Sequence, residues 1–142
     1  MCIGTKLKLI IEADGGSRGN PGPAAYGCLV KDAQTNEVLF KEGKTLGITT
    51  NNVAEYSGLV AALVAAYELD SKAEIEVRMD SKLVVEQMSG NWKIKHENMK
   101  GLVEKARNAF PQEQVKYVWV PREDNLAADT LLNIALDAEL NQ

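Results

Sequence analysis

Residues 6–23 read KLKLIIEADGGSRGNPGP. Up to Ala13 the stretch is rich in aliphatic and β-branched side chains, and the ten residues after it hold four glycines and two prolines. The contrast predicts a strand over 6–13 that ends in a Gly-rich break, with Asp14 where the strand stops. Beyond the break, AAYGCLVKD (24–32) reads as a second strand, AQTNE (33–37) as a turn and VLFKEGKTL (38–46) as an alternating third strand. Connections this short imply antiparallel pairing.

The period then changes. From Asn52 onward, Tyr56, Leu59/Val60, Leu63 and Tyr67 recur at helical spacing with alanines between them, a pattern that favours an amphipathic helix. Thr50, Asn51 and Asn52 offer N-cap side chains, which places Glu55 in the first turn. AEIEVRM (73–79) returns to alternation, with Ile75, Val77 and Met79 on one face of a fourth strand, and Asp80 ends it. Ser81 can cap a short helix through Met88, and a further helix is expected over 97–110, stopped by Pro111. VKYVWV (115–120) gives a fifth strand closed by Pro121, and EDNLAADTLLNIALDAEL (123–140) a final amphipathic helix. The order predicts an α/β fold: a five-stranded mixed sheet, three antiparallel strands then two parallel, with helices on both faces. Without a linker, repeat or low-complexity stretch, 1–142 is expected to be a single domain.

The chain has 142 residues, 16 Lys+Arg against 20 Asp+Glu and a formal charge of −4. With 45% hydrophobic and 25% charged residues, the composition is that of a globular protein and excludes a disordered or fibrous chain. The longest apolar run, 59–67, is nine residues, short of the ~20 that a spanning helix needs. Acids at Glu12 and Asp14 stand where a signal peptide would need its apolar stretch. A cytoplasmic protein with no membrane partner is expected. Cys2 and Cys28 are too few for a disulfide framework and have no zinc spacing with the lone His96; they read as a terminal residue and a small core residue. The acidic balance argues against coating nucleic acid by bulk charge.

Asp14 and Asp80 each fall at the end of a strand, and Glu55 and Asp129 each fall in an early turn of a helix. In an open α/β sheet those ends meet on one edge, where ligands bind. Singly, each acid has an ordinary explanation, since acids near helix N-termini stabilise by ~0.3–1 kcal/mol and strand-end acids are solvated. Brought together, they repel and raise one another's pKa unless a cation sits among them. Oxygen ligands without His or Cys suit Mg²⁺ or Mn²⁺ rather than zinc. Such a cluster can hold two ions about 3.5–4 Å apart, activating water and stabilising the leaving oxygen of a phosphodiester. Setting the four acids aside leaves 16 acids against 16 bases, so the candidates account for the whole excess charge.

Four segments, DGGSRGNPGPAAYG (14–27), TTNNVAEYSGL (49–59), MDSKLVVEQM (79–88) and NLAADTLLNIA (125–135), resemble in order the motifs of type 1 ribonuclease H. The resemblance covers nearly the whole chain. It implies a ribonuclease H-like fold and an endonuclease that cuts the RNA strand of RNA/DNA hybrids, leaving 5′-phosphate and 3′-hydroxyl ends. It implies two Mg²⁺ ions, with Mn²⁺ as substitute: Asp14, Glu55 and Asp80 at the one that activates water, Asp14 with Asp129 at the leaving group. Gly15, Gly16 and Ser17 match the tight turn whose backbone lies against the RNA. Asn20, Asn51 and Asn52 match residues that contact ribose 2′-hydroxyls or bases, and such contacts would supply strand choice. Thr50 matches a DNA-phosphate pocket, and Arg18, Ser81 and Lys82 join the expected substrate contacts. The same residues have a structural use: glycines permit φ > 0 in any turn, and 50–52 would cap any helix. Asn20 and Asn51 are assigned to substrate, whereas for Asn52 the two readings stand level.

Departures from the family pattern matter as much. Arg122 stands where many members carry a loop histidine. Arginine keeps its proton, so Arg122 is expected to bind phosphate or assist product release and not to act as a base. His96 reads as a surface or capping residue. The Lys-rich insertion of some members is missing, leaving Lys93, Lys95, His96 and Lys100 around Trp92. That group is either a small basic patch for the DNA strand or a solvated helix start with Trp92 packed on the core. Ile48 stands where relatives often carry an arginine two residues before Thr50, which weakens that pocket, with Lys82 as compensation. The expectation is a monomer with modest hybrid affinity and steep salt dependence. Some compact bacterial relatives are fused to a phosphatase-like domain.

Three other readings compete. An Asp before Gly-Gly-Ser also resembles aspartyl-phosphate phosphatases, but those need a second Asp two residues on, where Gly16 stands. A non-catalytic hybrid binder on the same fold would gain little from a repulsive cluster. A DNA-cutting transposase or integrase relative fits Asn-Asn-x-x-Glu and the Gly-rich turn less well.

Overall fold

The computed structural model describes residues 7–140, the side chain of Asn98 excepted; Cys2 and Lys6 lie outside them. The strands are β1 (Lys8–Ser17), β2 (Gly22–Asp32), β3 (Val38–Thr49), β4 (Glu74–Met79) and β5 (Val115–Trp119). The helices are α1 (Asn51–Leu69), α2 (Lys82–Met88), α3 (Glu97–Ala109) and α4 (Leu126–Leu140). The strands form one sheet in the order β3-β2-β1-β4-β5. β1–β2 and β2–β3 are antiparallel, while β1–β4 and β4–β5 are parallel.

Alternation along the central strand decides the layers. Leu9, Ile11 and Ala13 of β1 share a core with Tyr56, Leu59 and Leu63 of α1. Helix α3 packs on α1 and adds Met99, Val103 and Ala106 at helical spacing, with Phe110 just past its end in the same core. On the opposite face Leu132 and Leu136 of α4 pack on Ala25. There the approach is close: a Cβ on Gly27 would lie 2.1 Å from the Ala128 carbonyl oxygen, so only glycine lets α4 rest on β2. Cys28 is fully buried. Burial, and then Glu42, pushes its thiol up to about 12, so it stays un-ionised and serves as a core residue.

Helix boundaries follow local chemistry. Thr50 caps α1 by accepting from Val53 N (3.3 Å), and Ser81 caps α2 by accepting from Val84 N (3.3 Å). Phe110 is extended (φ −150°, ψ 143°), as the residue before a proline is biased to be, so α3 ends at Ala109.

The structure corrects the sequence reading in three places. β1 does not break at Asp14 but continues through Gly15 and Gly16 to Ser17, because β2 supplies a ladder partner at every step down to Ser17↔Ala24. The glycines therefore form a strand end and not a tight turn. α1 starts at Asn51, so Glu55 begins its second turn. α4 starts at Leu126, and Arg122–Asp124 forms a separate 3-10 turn. Trp92, which the sequence leaves open between core and surface, is 45% exposed and so belongs to the surface.

Candidate active site

The register of the two central strands places the first pair of acids. β1 and β4 run parallel with Glu12 opposite Arg78, and two further steps bring Asp14 level with Asp80. β4 has stopped at Met79 by then, so Asp14 is held by β2 alone, opposite Gly27. Asp80 is fixed through its main chain, whose carbonyl accepts from the Trp119 indole Nε1 (3.2 Å). α1 delivers Glu55 beside them, and the first turn of α4 delivers Asp129.

All four acids line one cleft of about 590 Å³. Asp14 is 8% exposed, and its carboxyl is pushed up to about 8, first by burial and then by the charges of Asp80 and Asp129. The Gly15 N–H, donating to Asp14 Oδ1 at 2.9 Å, opposes that rise. Glu55 is pushed up to about 7 by burial; the Ser81 hydroxyl pulls it down and Asp80 pushes it up. The mutual repulsion inferred from sequence is therefore present. Among the described residues no three His, Cys, Asp or Glu side chains stand close enough together to hold an ion as placed. The four acids instead line the cleft side by side, with Asp14 and Asp129 close enough to share a hydrogen bond.

The same cleft is lined by Gly15, Gly16, Ser17, Arg18, Asn51 and Asn52 on one side. Ser81, Lys82 and Arg122 line it elsewhere. Ser17 gives both its backbone N–H (2.7 Å) and its hydroxyl (2.9 Å) to Asn51 Oδ1. Both lone pairs of that oxygen are thus committed, and what Asn51 can offer a ligand is its N–H₂ donor pair. Asn20 Oδ1 accepts from Asn51 N at 3.1 Å, so Asn20 braces the start of α1 from outside the cleft lining. Arg18 pairs with Asp137 at 2.6 Å. Arg122 is exposed and approaches Asp129 at 3.7 Å. Thr50 stands outside the cleft lining and spends its hydroxyl on capping α1.

A second cleft of about 470 Å³ adjoins the first across Asn52 and Leu83. Trp92, Lys93, Lys95 and His96 line it together with Gln87 and Met99. His96 occupies the N-cap position of α3 but makes no side-chain capping bond.

A family model described as "Reverse transcriptase-like" matches residues 12–135. A ribonuclease HI of Halobacterium salinarum is 40% identical over 87% of this chain and 62% of its own length. A ribonuclease H of Salmonella arizonae is 36% identical over 78% of this chain and 74% of its own. The chain belongs to the type 1 ribonuclease H family. The bifunctional protein Rv2228c of Mycobacterium tuberculosis is 52% identical over 93% of this chain, which spans 36% of that protein's length. The solved N-terminal RNase H domain of Rv2228c superposes with a TM-score of 0.90 at 50% identity, covering 96% of this chain and 98% of that one. LC11-RNase H1, solved in complex with an RNA/DNA hybrid, gives 0.85 at 41% identity over 93% and 99%. The mixed sheet, antiparallel among its first three strands and parallel for the last two, and the helices on both faces are those expected from the sequence.

One residue of this site escaped the sequence reading. Asn125 is fully buried and donates its Nδ2 to Ala13 O (2.9 Å) and to Asp80 Oδ1 (3.0 Å). The signal available was its place one helical turn before Asp129, but the sequence reading puts it inside the helix, which in the structure starts only at Leu126.

Proposed function

We propose that this chain is a divalent-metal-dependent endoribonuclease that hydrolyses the RNA strand of RNA/DNA hybrids, giving 5′-phosphate and 3′-hydroxyl ends. The observation that carries the reading is Asp14, buried and pushed up to about 8 by burial and by the Asp80 and Asp129 charges. A fold gains nothing in stability from such a cluster unless a cation joins it. Its all-carboxylate donors suit Mg²⁺, with Mn²⁺ as substitute. Asp14, Glu55 and Asp80 would hold one ion and Asp14 with Asp129 a second. Two such ions, when bound, supply an activated water and charge stabilisation at the leaving oxygen.

The chain's own residues handle the substrate. Asn51 offers donors beside the acids, a match for ribose 2′-hydroxyls that DNA lacks. Asn52 sits on the ridge between the clefts, and Gly15, Gly16 and Ser17 bring backbone against the RNA. Asn20 supports this contact by fixing Asn51. Lys82, Arg18 and Arg122 meet phosphates from the rims, and the Arg122 guanidinium acts as a charge and not as a base. Across the ridge, exposed Trp92 with Lys93 and Lys95 suits the DNA strand through stacking and charge. We place the activity in the cytoplasm, in a monomeric unit that can be one domain of a longer protein, as its share of Rv2228c suggests.

The test is a hybrid labelled on either strand, beside RNA duplex, DNA duplex and a phosphomonoester, in Mg²⁺, Mn²⁺ or EDTA. Cleavage confined to the RNA strand of the hybrid and abolished by EDTA is expected. A hybrid left intact in both metals while the monoester is hydrolysed overturns the proposal.

A further inference from the structure

Asn125 immediately precedes α4, where an asparagine ordinarily turns its Oδ1 back to accept from an N–H of the first turn. Here Oδ1 has no hydrogen-bond partner among the described residues. Instead the amide nitrogen reaches away from the helix, 2.9 Å from Ala13 O and 3.0 Å from Asp80 Oδ1. The Asn125 backbone carbonyl in turn accepts from Asp129 N at 3.2 Å. One fully buried residue thus touches the segment that carries Asp14, the side chain of Asp80 and the backbone of Asp129. Its cap is forgone and its carbonyl left unpaired, costs that an apolar residue of similar size would avoid. An arrangement built for stability alone would not keep them.

We propose that Asn125 is a positioning residue for Asp80, an inference that rests on the metal-dependent reading above. Asp80 lies just past the end of β4, where no strand partner restrains its side chain. The Trp119 indole holds its main chain, and Asn125 holds the carboxylate by occupying Oδ1, which fixes its rotation and reserves Oδ2 for a cation. Because the same Nδ2 is anchored on Ala13 O, the carboxylate of Asp80 is referenced to the strand that carries Asp14. Asn125 never touches the substrate; it acts through Asp80.

The experiment compares the native chain, Asn125→Ala, Asp80→Ala and the double variant by Mg²⁺ titration. Two readouts apply: the Mg²⁺-induced gain in melting temperature, and calorimetric binding. In Asn125→Ala the half-saturating Mg²⁺ concentration should rise roughly tenfold or more, the scale for partners that orient metal ligands. In the Asp80→Ala background the same substitution should add nothing, and Asn125→Ser, which keeps one hydroxyl donor, should fall between. If Asn125→Ala does not fold, Asn125→Ser carries the same comparison. A lowered metal-free melting temperature with unchanged half-saturation would make Asn125 purely structural and overturn the proposal. So would an equal rise in the Asp80→Ala background. A native chain that shows no Mg²⁺ response by either readout overturns the metal-dependent reading itself and this inference with it, an outcome distinct from the other two.

Discussion

Gly15 of β1 runs so close under Ala54 of α1 that a Cβ on it would lie 2.3 Å from the Ala54 carbonyl carbon and 2.3 Å from the Glu55 nitrogen. Both atoms are backbone, so neither can swing aside. This contact sets the distance between Asp14, one residue before, and Glu55, one residue after.

Gly15→Ala should therefore destabilise the fold by about 3 kcal/mol, the upper part of the usual range for overpacking, and depress cleavage because the strand and helix must part. Urea unfolding of the native chain and the variant checks the first effect, and hybrid cleavage at a temperature where both are folded checks the second. Native-like stability with native-like rate would show that the contact does not set the site.

A pH dependence follows from the two raised carboxyls. Folded and metal-free, Asp14 holds its proton to about 8 and Glu55 to about 7, against ordinary values of 3.8 and 4.5. Between those limits the folded state binds more protons than the unfolded one, so stability is greatest on the acid side and falls as pH rises through the folded values. Glu76 has the opposite sign, being lowered against the desolvation of its burial by the Arg78 and Lys8 cations. Its contribution is lost only when pH falls below its ordinary 4.5, so it adds no slope here. In EDTA the melting temperature should drop from about pH 5.5 to about pH 8.5, and saturating Mg²⁺ should remove most of the drop by replacing protons at the cluster. A melting temperature in EDTA that is flat or rises with pH would contradict the assignment.

The second cleft yields a prediction about affinity. Trp92→Ala should weaken hybrid binding by ~1–3 kcal/mol, the worth of one stacked base, with little change in salt dependence. Lys93→Ala and Lys95→Ala should each reduce the slope of log affinity against log salt by about one, if each meets a phosphate. Binding isotherms of a metal-free hybrid complex across a salt series separate the two. A Trp92→Ala variant that binds as the native chain does would remove the DNA strand from that cleft.

What could be read in the sequence was local. The aliphatic run up to Ala13, the helical period from Tyr56 to Tyr67 and the proline after Phe110 each act within a few residues, and each gives an element of the expected type with somewhat different ends. Misses arose where a distant partner decides. The Gly-rich stretch reads as a break, yet β2 holds it in the sheet to Ser17. Asn125 falls by sequence inside the last helix with no role of its own, but its side-chain partners are 112 and 45 residues away. Trp92 could be core or surface by spacing alone, and only the way the chain turns between α2 and α3 leaves it exposed. Thr50 carries both a capping and a substrate signature, and in the fold its hydroxyl serves the cap.

The central claim is that the Asp14 cluster cuts RNA in a hybrid. Its most direct test is the single-turnover rate of RNA-strand cleavage in Mg²⁺ by the native chain and by Asp14→Asn, purified identically. The account predicts a loss on the order of 10³-fold or more in the variant, as for residues that work as a unit. It also predicts a metal-free melting temperature near pH 8 equal to or above the native one, since one repelling charge is gone. Comparable cleavage rates in the two proteins, with both folded, would contradict it.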